Sequence, residues 1–169
     1  FYEVLKTPEE LGRSVSQLFL GVRIECAQCH HHPSGRWTQR DYFAFAGFFT
    51  GVGRKSVPGG GQKIFDQPGK DLKHPRSGEL VAASGLGAAP AELSDPAARR
   101  AALADWVTST ENRLFARTIA NRLWAHYFGR GLVEPIDDHR ATNPASNEKL
   151  LEALAAFLVE VEFDLKAFT

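Results

Sequence analysis

The chain has no methionine and only two cysteines among its 169 residues. Without a thioether, the His/Met iron coordination common in electron-carrying cytochromes c is excluded within this sequence. Two cysteines confined to one motif exclude a disulfide framework as the source of stability. Net charge is missing too, since 20 Lys and Arg offset 20 Asp and Glu. That balance gives no electrostatic reason to expect nucleic acid or an anionic membrane as the main partner. No apolar run approaches bilayer-spanning length. The hydrophobic share of 43% is ordinary for a globular protein that buries a core. Opening on Phe1-Tyr2 with no methionine, the chain reads as an internal piece of a longer protein, so the lack of a leader sequence means little. The final run Phe163–Thr169 reads as the start of an interrupted element.

Both cysteines lie in Cys26-Ala27-Gln28-Cys29-His30. C-x-x-C-H is the attachment signature of a c-type haem. Two thiols add across the haem vinyl groups, and the adjacent imidazole supplies the proximal nitrogen to iron. On a helix, positions 26, 29 and 30 would project from one face and could grip a flat macrocycle together. Haem c is therefore the first cofactor expected, at Cys26, Cys29 and His30. Zinc is the alternative, because Cys26, Cys29, His30 and His32 form a Cys2His2 set. Four ligands from seven residues is tight, and His74 could relieve it; the metal candidates are thus His30, His32 and His74. An inert or disulfide-linked pair is a third reading. Thioredoxin-like chemistry wants a strand before the motif, where this chain has a helix pattern.

For a sixth haem ligand the remaining histidines are His31, His32, His74, His126 and His139. His31 and His32 are too near His30 to cross to the opposite face easily, whereas His74 lies in a flexible His-Pro segment. His126, beside Trp124 and Tyr127, reads as a packed helix residue. The aromatic set Trp37, Tyr42, Phe43, Phe45, Phe48 and Phe49 suits a haem wall or an ordinary core. Arg36 and Arg40 suit haem propionates or plain solvation.

The organisation reads as mainly α, two small helical units joined by a Gly/Pro-rich irregular segment. Thr7-Pro8-Glu9-Glu10 starts a helix as N-cap, first-turn proline and capping glutamate. Leu11, Val15, Leu18, Phe19 and Val22 follow at helical spacing, and Pro33 ends whatever helix reaches it. Thr38 with Asp41 caps an aromatic helix that Gly51 and Gly53 stop. The first unit, 1–55, carries the motif, and 56–93 is a linker in which only Lys63–Phe65 and Glu79–Val81 hint at strands. The second unit, 94–169, holds three helices: Ala97–Val107 after Ser94-Asp95-Pro96, Asn112–Phe128 before Gly129, and Glu148–Glu160 capped by Ser146. Asp137-Asp138-His139 has the make-up of a catalytic carboxylate–histidine group, but no nucleophile or phosphate loop accompanies it. An Asx-type turn in a helix-entry loop is the plainer reading.

The string Leu18–Val22, Arg23, Cys26–His30, His32-Pro33, then Arg36–Thr38 and Asp41-Tyr42, resembles the end of the cytochrome-like domain of large secreted planctomycete proteins. The second half resembles the start of the planctomycete-specific domain of unknown function that follows it. That likeness rests on Arg100–Trp106, Asn121–His126, Phe128–Pro135, Asp137-Asp138 and Arg140–Pro144, with His74–Arg76 and Gly78-Glu79 matching the link. Ser34-Gly35 departs from a usual Phe-Asp, and His139 stands where an aromatic is usual. The resemblance implies an exported, multidomain protein whose reaction is unknown. Motif and resemblance together lead to the expectation of a haem-bearing, cytochrome-like segment of a larger exported protein, serving electron transfer or other redox chemistry outside the cytoplasm, with a redox protein or larger assembly as partner. The alternatives are a zinc-stabilised helical structural or partner-binding module, and part of a hydrolytic, polysaccharide-processing assembly.

Overall fold

The computed structural model describes residues 1–93 and 95–169. It corrects the mainly α expectation: the fold is mixed, 43% helical and 11% strand, with two small antiparallel sheets. The reason lies in the Gly/Pro-rich segment, which folds back on itself twice. Gly59, Gly60 and Gly61 all have positive φ, near 90°, a region that only glycine occupies cheaply. The reversal pairs β1 (Val52–Ser56) with β2 (Gln62–Asp66), Arg54 opposite Ile64. A second hairpin joins β3 (Leu72–Lys73) to β4 (Leu80–Val81). Both weak strand hints in the sequence fall on these ladders.

The contacts divide the chain into two interleaved units: residues 1–14 with 24–106, and residues 15–23 with 107–169. In the first unit, helix α1 (Pro8–Val15) begins with the expected capping box. Thr7 Oγ1 accepts from the Glu10 amide at 3.2 Å, and the Glu10 carboxylate accepts from the Thr7 amide at 2.9 Å. Helix α2 (Gln39–Ala46) is capped the same way by Thr38 and Asp41. Its aromatic residues are core: Phe45 meets Phe48, Phe49 and Trp106 edge-to-face at 6.1–6.4 Å between ring centres. Burying each phenylalanine stabilises by about 2 kcal/mol. Helix α3 (Arg99–Thr108) contributes Arg99, whose buried guanidinium donates to the Gly47 carbonyl at 3.1 Å and pairs with Asp71 at 2.9 Å. Ser94, the expected cap, lies outside the described residues; Asp95 accepts from the Ala97 amide at 2.8 Å.

In the second unit, α4 (Arg113–Phe128) packs on α5 (Glu148–Glu160). The seam is Ala116, Ala120, Leu151 and Ala155, joined by Leu132 and Val133; small residues there let the helices approach closely. Buried Asn121 donates to the Val133 carbonyl at 3.0 Å and accepts from its amide at 2.9 Å. Arg117 bridges to Glu148 at 2.7 Å and to Glu152. Asn147, not Ser146, caps α5 by accepting from the Leu150 amide, while the Ser146 hydroxyl donates to the Leu132 carbonyl. Phe157 is exposed and stacks on Phe168 of the short helix α6 (Leu165–Phe168). The segment 15–23 belongs to this unit. After Val15 the helix widens into a π-turn, Ser16–Leu20, and stops at Gly21 with φ +64°. The inserted residue shifts the phase, so Leu18 and Phe19 are exposed instead of lying on the buried stripe.

Candidate functional site

The motif occupies a 3-10 turn, Ile24–Gln28, rather than an α-helix. Ile24 and Ala27 point inward and are buried, which turns the intervening polar positions outward. In 3-10 geometry side chains three apart eclipse. Cys26 and Cys29, three apart on the turn and just past its end, are both exposed free thiols. His30 follows on the surface.

Two contacts fix this turn from below. The buried amide of Gln39, at the start of α2, donates to the Gln28 carbonyl at 2.6 Å. The His32 amide donates to the Trp37 carbonyl at 2.9 Å and closes the loop that carries Pro33 to Arg36. Trp37 is itself buried, with the Arg36 guanidinium stacked 4.7 Å from its ring centre. Gly35 lies where a side chain would press on the His32 and Trp37 rings. Gln39 and the Trp37 carbonyl had no marker in the sequence: a polar residue at the first position of a helix ordinarily faces water.

Hydrogen bonds separate the histidines. His30 Nδ1 lies 2.6 Å from the His31 carbonyl oxygen. A carbonyl only accepts, so Nδ1 carries the proton and Nε2 of the neutral ring keeps its lone pair outward. His32 has the opposite polarity, its Nδ1 accepting from the Ser34 amide at 3.3 Å. His74 likewise accepts at Nδ1 from the Arg76 and Ser77 amides, each at 3.3 Å. Its backbone closes the β3–β4 hairpin and its ring sits edge-on to Phe43 at 6.5 Å. Among the described residues, no group of three or more His, Cys, Asp or Glu side chains converges as a metal site. Cys26, Cys29, His30, His32 and His74 are therefore not gathered into the tetrahedral cage that zinc requires.

Of the aromatic set, Trp37, Tyr42, Phe45, Phe48 and Phe49 are buried core of the first unit. Burial pushes the Tyr42 hydroxyl up to about 12. Arg40 is exposed, 3.7 Å from Glu79. His126 is exposed at the end of α4, 5.1 Å from the Tyr127 ring centre.

The Asp137–His139 group is a packing device. Burial opposes ionisation of Asp137, but bonds from Gln17, at 2.6 Å, and from Arg23 outweigh it and hold the carboxyl below its usual range. Asp138 is buried and pairs with Arg140 at 3.1 Å. The His139 amide donates to the Gly21 carbonyl at 2.7 Å, and its ring lies over Gly21. The ring nitrogens are buried with no hydrogen-bond partner. Burial, with Arg117 beside it, pushes His139 down to about 4.

Two family models match the chain. Residues 3–54 are similar to PSCyt2, a protein of unknown function (DUF1549), and residues 99–169 to PSD1, a protein of unknown function (DUF1553). Both are planctomycete-type domains of unknown function. No curated protein and no solved structure matches the chain. Among the described residues, no helix is long and apolar enough to cross a membrane.

Proposed function

We propose that the Cys26–His30 turn is the attachment site of a c-type haem in an exported electron-transfer protein. The observation that carries the reading is the polarity of His30. With Nδ1 donating to the His31 carbonyl, Nε2 is left as a lone pair beside two exposed thiols on the same turn. Cys26 and Cys29 would hold the group through thioether bonds, each thiol adding its sulfur and its hydrogen across one vinyl double bond. His30 would hold the metal through Nε2. When bound, the haem supplies one-electron redox chemistry at its iron.

The rest of the chain's part is positioning. The Gln39 amide and the Trp37 carbonyl fix the base of the turn, so the thiols and the imidazole need little reordering on attachment. Arg36, exposed and steadied by Trp37, is available to a propionate. An exposed motif also suits transfer to a second redox protein, which is the partner this reading calls for. Thioether attachment takes place outside the cytoplasm, and the proposal places the protein there.

The test is to export the chain from a host that attaches c-type haem. The expected product is coloured, gives a reduced pyridine-haemochrome spectrum and keeps its haem through acid–acetone extraction. Cys26→Ala with Cys29→Ala should abolish both signals. A colourless product carrying stoichiometric zinc would overturn the proposal, as would colour that survives loss of both thiols.

A further inference from the structure

The second unit holds a histidine that the haem reading does not use, and its surroundings are unusual. His139 lies over Gly21, the residue that ends the π-turn. A Cβ on Gly21 would come within 2.3 Å of His139 Cδ2 and 2.8 Å of Thr118 Oγ1. The His139 amide donates to the Gly21 carbonyl, so ring and backbone grip the same residue. The turn is otherwise closed on itself: the Ser16 hydroxyl donates to the Val22 carbonyl at 2.7 Å, and the Val22 amide to the Ser16 carbonyl at 3.2 Å.

The ring's nitrogens form no hydrogen bond of good geometry, and the nearby Ile136 backbone, which favours a positive ring, is outweighed by burial. A neutral imidazole tolerates that; an imidazolium, with two N–H groups and a full charge, does not. The charged groups around it decide the sign. From α4 come Arg117 and Arg122, both repelling a positive ring. From the start of α5 comes Glu148, already bonded to Arg117 at 2.7 Å. From its own loop, Asp138 is taken by Arg140, and Asp137 by Gln17 and Arg23 of the 15–23 segment. Every nearby carboxylate is thus engaged by another group.

We propose that His139 is an acid-release latch: neutral, it clamps the Gly21 turn onto the second unit, and on protonation it leaves its seat and frees residues 15–23. The clamped segment runs directly into Ile24 and the cysteine turn in sequence. The downward displacement of the His139 pKa, caused first by burial, places release below the ordinary histidine range, towards pH 4. Asp137 and Glu148, both held below the usual carboxylate range, stay ionised there and do not imitate the effect.

The test is amide hydrogen exchange on the full chain between pH 7 and 4.5, corrected for the intrinsic pH dependence of exchange. The reporters are the His139 and Val22 amides. Protection in the wild type should fall at least tenfold across this range, and in His139→Phe, which keeps a flat ring without a titrating nitrogen, it should stay level. Flat wild-type protection, or the same fall in His139→Phe, overturns the latch. If His139→Phe does not fold, NMR titration of the wild-type ring decides. An inflection in the ordinary histidine range overturns the proposal, and one well below it supports it.

Discussion

Two turns follow one another in this chain and are built on opposite plans. The Gly21 turn is closed by Ser16 and Val22, clamped by His139 and flanked by the Asp137 bonds to Gln17 and Arg23. The Cys26–His32 turn is held at its base by Gln39 and Trp37, and presents two thiols and the His30 imidazole to solvent. The first uses nearly every polar group for structure. The second leaves its two thiols and the second nitrogen of His30 for a ligand, as a site that must accept one requires. Residues with chemistry to offer are here separate from residues that carry packing, so the two kinds of substitution should have different costs.

The largest effect should come from Gly21→Val. It forces a branched side chain into positive φ and against the His139 ring, and should cost about 3 kcal/mol of unfolding free energy. A urea midpoint measures it, and a change within about 0.5 kcal/mol would erase the contrast between the turns. Acidification comes next. The folded His139 pKa, about 4, lies below the ordinary 6.5, so the unfolded chain binds more protons between these values. Stability is therefore complete above pH 6.5 and falls as pH drops towards 4. With a discount for the ring's partial exposure, the loss is about 2 kcal/mol, read from midpoints in a pH series. Gln39→Ala leaves the Gln28 carbonyl without its donor and should cost about 1 kcal/mol, showing how much of the motif's order rests on its base. The smallest effect belongs to Cys26→Ser with Cys29→Ser. Thermal unfolding of the haem-free chain should move by less than about 0.5 kcal/mol, because both thiols are exposed and bond to nothing the fold needs.

Much of the local structure could be read from residues that satisfy helix ends within a few positions. Thr7 with Glu10, Thr38 with Asp41, and Asn112 with Gly129 all act as their spacing indicates. The break at Gly21 was hidden because Leu18, Phe19 and Val22 continue a helical stripe across it; a π-turn alters phase without altering composition. Ser146 and Asn147 are both good caps side by side, and only the tertiary bond from Ser146 to Leu132 removes the first from the role. The mainly α expectation failed where three glycines turned a supposed linker into a hairpin. At the motif, residue types could be read but proton positions could not. Whether a histidine keeps its outward lone pair depends on which carbonyl or amide the loop brings to Nδ1. The Asp137–His139 group shows the reverse: residues suggestive of chemistry, committed by position to holding a turn.

The interleaving of the units also bears on how the chain is made. Residues 15–23 lie within the stretch matched by one family, yet complete the unit whose remainder begins at Val107 and includes most of the stretch matched by the other. During synthesis this segment leaves the ribosome long before α4 and the His139 loop exist to receive it. The second unit can close only late, through contacts of high sequence separation, which slows folding and prolongs exposure of Leu20 and Val22. Residues 99–169 expressed alone would lack that strap, and supplying residues 15–23 as a separate peptide should restore it. The boundary between the matched regions is therefore not the boundary of the second folding unit, which needs residues 15–23 from one and residues 107–169 from the other.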